Sequence, residues 1–177
     1  RDVGLPTCEE NNATLAGVTG VPATNAAANS TYLQVKQQLP TTEAIDTFLA
    51  AQQSAVAQLA IKYCSVLVDT PSLRDAFWGT NPTALNLTMQ GDRDALINPL
   101  LDKGIGTGTL QSQPARAALA EELGRLGSNV PDGTPSGHPS LIDALCSGGG
   151  SCDSKRKGLV TKAACAAVLA SGSTIVQ

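Results

Sequence analysis

An all-α fold is what this sequence predicts: an irregular bundle of six to eight short helices around one long central helix, stabilised by disulfides. Three observations carry that expectation. Only five of the 177 residues are aromatic (Tyr32, Tyr63, Phe48, Phe77 and Trp78), and a core of alanine, leucine and valine suits close-packed helices, whereas sandwiches and barrels favour β-branched and aromatic residues. Apolar residues recur at steps of three and four, the period of a helix face. Five cysteines, Cys8, Cys64, Cys146, Cys152 and Cys165, are scattered along the chain with no C-x-x-C or C-x-x-C-H spacing. Zinc, thioredoxin-like and haem-attachment patterns therefore lack their signature, and a disulfide framework made in an oxidising compartment leads. A chain of this length buries roughly 70% of its unfolded surface, so a single helical domain over residues 1–177 is expected, with a loose loop at about 128–139.

The elements follow in order. Thr7 can cap a first helix with Glu9 and Glu10 in its opening turn and Leu15 and Val18 on its apolar face, before Gly20 and Pro22 stop it. A second helix runs from about Asn25 to Gln38 with Tyr32, Leu33 and Val35 as apolar positions, and Pro40 ends it because the residue before a proline is pushed out of the α region. The spine spans Thr42 to Val68, where Ile45, Phe48, Leu49, Val56, Leu59, Ala60, Tyr63, Val66 and Leu67 recur at helical steps, with a kink open around Ala50–Ser54. Thr70 and Pro71 then read as the cap and first position of a helix reaching Trp78.

Residues 79–90 read as a loop containing Asn81-Pro82. A helix follows from Asp92 to about Lys103, with Leu96, Ile97, Leu100 and Leu101 on one face and Gly104 as its stop. Ser112-Gln113-Pro114 opens a short helix that packs through Leu119, Leu123 and Leu126 and ends at Gly127. Prolines and glycines loosen Ser128–Pro139, and one or two helical turns lead to Cys146. Asp153 or Ser154 caps the last helix, whose face is expected to hold Leu159, Val160, Ala163, Ala164, Ala167, Val168 and Leu169.

Cysteine spacing suggests the framework. The loop Cys146-Ser-Gly-Gly-Gly-Ser-Cys152 is the easiest to close within the Cα separation a disulfide accepts. Cys64 and Cys165 each lie mid-face in a strongly apolar helix, where a bridge would span about 100 residues and contribute roughly 4 to 5 kcal/mol. Free buried thiols are the alternative there, and Cys8 could take either residue and leave the other spare. An odd count leaves one cysteine for another chain or for another part of a longer one, and Cys8, near a terminus, is the candidate external or intersubunit cysteine.

Candidate chemistry is sparse. His138 is the only histidine, so any triad would have to be built around it. Asp92 and Asp94 read as cap and first-turn charge rather than as a calcium loop, whose further oxygen ligands are missing. Gly104-x-Gly106-x-Gly108 lacks the third-glycine spacing of a dinucleotide site. No catalytic, cofactor or metal residue is assigned. A net charge of -3 with 15% charged residues argues against nucleic acid, since phosphate neutralisation needs clustered cations. The short run Lys155-Arg156-Lys157 with Lys162 reads as a solvated helix face. No stretch approaches the length of a membrane span. Asn12-Ala-Thr14, Asn29-Ser-Thr31 and Asn86-Leu-Thr88 fit the glycosylation sequon. The chain starts at Arg1 rather than Met, which suggests a removed segment or a piece of something longer.

Four segments, Gly17-Val-Thr-Gly-Val-Pro-Ala-Thr24, Gln53-Ser-Ala-Val-Ala-Gln-Leu-Ala-Ile-Lys-Tyr-Cys64, Arg93-Asp-Ala-Leu-Ile-Asn-Pro-Leu100 and Lys162-Ala-Ala-Cys-Ala-Ala-Val-Leu-Ala170, carry a resemblance. They resemble the helical C-terminal region of bacterial exported proteins with a laminin-G-like, concanavalin-type jelly-roll domain. The resemblance covers most of the chain and rests on packing and cysteine patterns, and the jelly roll itself is absent. It implies a bacterial source and an envelope or cell-surface location, carries over no functional residue, and implies an upstream or neighbouring partner for Cys8.

The functional expectation is an extracellular or cell-surface structural or interaction module without enzymatic activity, a homo-oligomer or subunit of a self-assembling surface structure. Its partners would be its own copies or other parts of a larger surface protein. A small-ligand or carbohydrate-binding module and an enzyme of unknown type are the alternatives, distinguished by a pocket with convergent polar groups or by perturbed titrating groups.

Overall fold

The computed structural model describes residues 8–36, 50–105, 116–126, 139–146 and 152–171. These form eight α-helices and one 3-10 turn, with no strand among the described residues. Helices α1 (Cys8–Thr19) and α2 (Ala26–Lys36) make the first hairpin. Thr19 closes α1: its buried hydroxyl donates to the Leu15 carbonyl at 2.6 Å and accepts from the Val21 amide. Gly20 then turns the chain at φ 70°, in the left-handed region that glycine reaches without a Cβ penalty. Asn25 caps α2 by accepting from the Ala27 and Ala28 amides. Lys36 donates to Glu9 across the two helices. Val35 is buried as expected, but Leu33 is 51% exposed, because α2 turns only its Ala28 and Val35 side fully into the core. Thr7 and Pro40 lie outside the described residues.

Helix α3 (Ala50–Asp69) runs without interruption through the predicted kink region, while the spine's first part, residues 42–49, lies outside the described residues. Val56, Leu59, Ala60, Tyr63 and Leu67 form its buried stripe. Thr70 and Pro71 begin α4 (Pro71–Trp78) as the sequence suggests, although the Thr70 side chain makes no capping bond. Gly79, at φ 72°, closes it by donating to the Asp75 carbonyl. The expected loop beyond it contains a 3-10 turn, Pro82–Ala84, capped by Asn81, whose Oδ1 accepts from the Thr83 amide.

Helix α5 (Gln90–Gly104) begins two residues before the expected Asp92, with Met89 at the N-cap position. Asp92 is therefore not the cap. It reaches back to accept from the Asn86 amide at 2.6 Å, and Asp94 accepts from Gln90. Gly104 is not the stop either, since it is still helical and Ile105 is the C-cap. Its role is close approach: a Cβ there would lie 2.7 Å from Val168 Cγ1.

Helix α6 (Arg116–Gly124) ends three residues before the expected Gly127, which leaves Leu126 at the surface rather than packed. Gly124 has the same purpose as Gly104, because a Cβ on it would run into Ile97 Cδ1. Ser140 caps the short α7 (Leu141–Leu145) by accepting from the Asp143 amide. Asp153 caps α8 (Ser154–Leu169) by accepting from the Arg156 amide at 2.7 Å. The predicted α8 face is partly wrong: Val160, Ala164, Val168 and Leu169 are buried, but Leu159 is 53% exposed and Ala167 is exposed too. Thr161 and Cys165 complete the inward side.

The helices pack around two axes. Helix α3 packs most extensively on α8 and also touches α1, α2 and α4, while α5 packs on α6, α8 and α4, and α7 joins α6 to α8. One connected core contains residues from all eight helices, with Tyr63, Leu67, Leu96, Ile97, Ile142 and Leu169 among its members. The buried Trp78 fastens α4 to α5 by donating its indole N–H to the Leu96 carbonyl at 3.0 Å. Tyr63 fastens α3 to α1 by donating its hydroxyl to Asn12 Oδ1 at 2.8 Å, and burial pushes its phenol above the usual value.

Candidate functional site

Two clusters of chemistry-bearing side chains stand out, one covalent and one ionic. The covalent one is the cysteine framework. Cys64 in α3 and Cys165 in α8 are bonded, with Cα atoms 5.8 Å apart, and both are fully buried at the centre of the most extensive helix pair. Cys146, at the C-cap of α7, is bonded to Cys152, the residue before the α8 cap, with Cα atoms 5.4 Å apart. Each member of this second pair keeps 7% exposure. Lys162 lies 2.7 Å from the Asp69 carboxylate and adds a surface tie to the α3–α8 pair. Since Cys64 and Cys165 are bonded to each other, neither is open to Cys8, which begins α1.

The ionic cluster centres on Arg93, which sequence reasoning passed over. Its side chain is 1% exposed. Nε donates to the Leu87 carbonyl at 2.6 Å, one terminal nitrogen donates to the Gly124 carbonyl at 3.2 Å and faces the Ser140 hydroxyl, and the other donates to Asp143 Oδ1 at 2.5 Å. The Ser140 hydroxyl in turn donates to Asp143 Oδ2 at 3.0 Å. One guanidinium therefore holds the turn before α5, the end of α6 and the start of α7. Its hydrogen bond keeps the Asp143 carboxyl below the usual carboxylate value against the opposing effect of burial, and Ser140 adds to the lowering.

Arg93 does leave a trace in the sequence. Positions 93, 96, 97, 100, 101 and 104 share one helix face, and all six are buried. A charge in register with an apolar stripe is the signal, and it is easily read as surface because Asp92 and Asp94 flank it. Glu121 in α6 is also buried, with Arg125 Nε 2.9 Å from its carboxylate.

The other candidates are dispersed. His138, Gly106 and Gly108 lie outside the described residues. Asp92 and Asp94 serve α5 and the turn before it. Among the described residues no group of three or more His, Cys, Asp or Glu is placed to hold a metal ion, and no helix is long and apolar enough to cross a membrane. Of the sequon asparagines, Asn12 accepts the Tyr63 hydroxyl, Asn29 is exposed on α2, and Asn86 is exposed with its Oδ1 accepting from both the amide and hydroxyl of Thr88. What the two clusters define is a disulfide-bonded helical domain whose buried polar groups fix helix against helix. Compared with protein-family models, curated proteins and solved structures, the chain matches none.

Proposed function

We propose that this domain is an extracellular or cell-surface interaction module that acts by contact with protein, its own copies first. The observation that carries the reading is the cysteine arithmetic. Two bridges take up Cys64, Cys165, Cys146 and Cys152, leaving Cys8 at the start of α1 as the odd cysteine of a disulfide-bonded chain, and such a residue commonly joins a second chain. Large apolar side chains exposed on different helices, Leu33, Ile61 and Leu159, offer apolar contact area. Disulfides suit an oxidising compartment, and the resemblance to exported envelope proteins points the same way.

The test is the assembly state of the purified oxidised protein. Non-reducing electrophoresis and light scattering are expected to show a disulfide-linked dimer or larger species, which Cys8→Ser converts to monomer while leaving the helical circular dichroism and melting temperature unchanged. A wild-type protein that stays monomeric at high concentration, with Cys8 titrating as a free thiol, would overturn the reading.

A further inference from the structure

We infer that the Cys146–Cys152 bridge is a site of thiol–disulfide exchange, opened by a small thiol or dithiol reductant with Cys152 as the leaving thiolate, while Cys64–Cys165 is a permanent tie. The inference goes beyond the assembly reading and does not rest on it. The two disulfides differ in access and in electrostatics. Cys64 and Cys165 are wholly excluded from solvent between α3 and α8, whereas Cys146 and Cys152, though mostly buried, each keep 7% exposure.

The second pair is also asymmetric. Cys152 immediately precedes the N-cap of α8, a helix of 16 residues, where the unpaired amides present a partial positive charge. Lys155, Arg156 and Lys157 follow in the first turn against the single negative charge of Asp153. Arg156 also ties this turn to α7, its Nε donating to the carbonyl of Leu145, the neighbour of Cys146, at 2.8 Å. Cys146 sits at the other kind of terminus, the C-cap of α7, where the helix presents carbonyls rather than amides. A helix N-terminus and adjacent cations stabilise a thiolate, and the sulfur that forms the more stable thiolate is the better leaving group. Attack is thus directed to Cys146.

In the exchange the reductant's thiolate forms a bond to Cys146 Sγ as the Cys146–Cys152 bond breaks, and the electron pair of that bond goes to Cys152. A dithiol completes the reaction when its second thiolate attacks its own bound sulfur and releases Cys146. The reductant leaves as a disulfide, two electrons pass to the protein, and the dithiol's two protons end on the released thiols or in water. Opening removes the covalent link between α7 and α8 but leaves α7 held through Asp143 and Arg93, so the consequence is a looser α7–α8 junction within an intact fold.

The full oxidised chain would be incubated with reduced glutathione under native conditions, quenched in acid, labelled with N-ethylmaleimide and mapped as peptides. The expected result is glutathione on Cys146, maleimide on Cys152 and an intact Cys64–Cys165 bridge. The double variant Lys155→Glu/Lys157→Glu should open about fivefold more slowly because its leaving thiolate is less favoured, and Lys155→Arg/Lys157→Arg should keep the wild-type rate. Glutathione on Cys152, simultaneous opening of both bridges, no opening in the folded protein, or an unchanged rate in the glutamate variant each overturns the inference. Should the glutamate variant unfold, seen as labelling of Cys64 and Cys165, the position of glutathione in the wild type still decides.

Discussion

A guanidinium sealed inside a protein must place five N–H donors without water, and Arg93 does so against three separate stretches of chain. Removing it leaves two interior carbonyls and the half-buried Asp143 carboxylate without their partner. Arg93→Ala is therefore expected to cost about 3 to 5 kcal/mol in urea unfolding, the range for breaking one side of a buried ion pair. The pair also sets a pH dependence. Because the folded Asp143 carboxyl titrates below its ordinary value of 3.8, the unfolded chain takes up the proton first as pH falls. Its stabilising effect is complete above that ordinary value and disappears as pH drops through the lowered one. In Asp143→Asn the unfolding midpoint should depend less steeply on pH in that acidic window, and an unchanged slope would mean other carboxylates dominate. Steric limits are as local. Gly124→Ala should destabilise by about 1 to 3 kcal/mol, as overpacking does, and Ile97→Val in the same chain should recover part of the loss by removing the clashing Cδ1. The register of Arg93 with the apolar stripe of α5 hints at its burial, but the roles of Arg93 and Gly124 each depend on a partner in another helix that local sequence does not reveal: Asp143 for the first and Ile97 for the second.

At the scale of the element, legibility follows the range of the forces. Gly79 and Asp153 mark helix ends through bonds made within a few residues, and Pro71 marks one through its own fixed backbone angle, so the sequence is sufficient to find them. The α3 stripe is legible for the same reason, since Val56, Leu59, Ala60, Tyr63 and Leu67 keep helical spacing on one side. Leu59→Ala at its centre is expected to cost about 2 to 5 kcal/mol, measured by denaturant unfolding, and a loss below about 1 kcal/mol would match a surface site instead. Leu33, Leu126 and Leu159 went the other way. Each is apolar and suitably spaced, yet each is exposed because the width of the buried stripe depends on what packs against the helix. Gly104 misled for a related reason: as a sequence letter it signals an end, but in the fold it admits Val168.

For the whole molecule the disulfides set the scale. Cys64 and Cys165 are 101 residues apart, and Cys146 and Cys152 are 6 apart, so the small ring is nested within the large one. In the chain-entropy view, Cys64→Ser with Cys165→Ser should cost about 4 to 5 kcal/mol, and Cys146→Ser with Cys152→Ser only about 2 to 3. Paired unfolding curves of the two double variants would check the order, and equal losses would show that packing rather than loop closure governs the large bridge. The large ring was within reach of sequence reasoning because both cysteines lie on apolar helix faces, although their pairing with each other, rather than with Cys8, needed the packing of α3 against α8. That ring has a mechanical meaning. Tension applied to the chain before Cys64 and after Cys165 passes directly through the sulfur–sulfur bond and bypasses everything from α4 to α7. Roughly 350 Å of contour length is thereby withheld from extension, and a stretched molecule sheds only its two flanking arms until a reductant releases the shortcut.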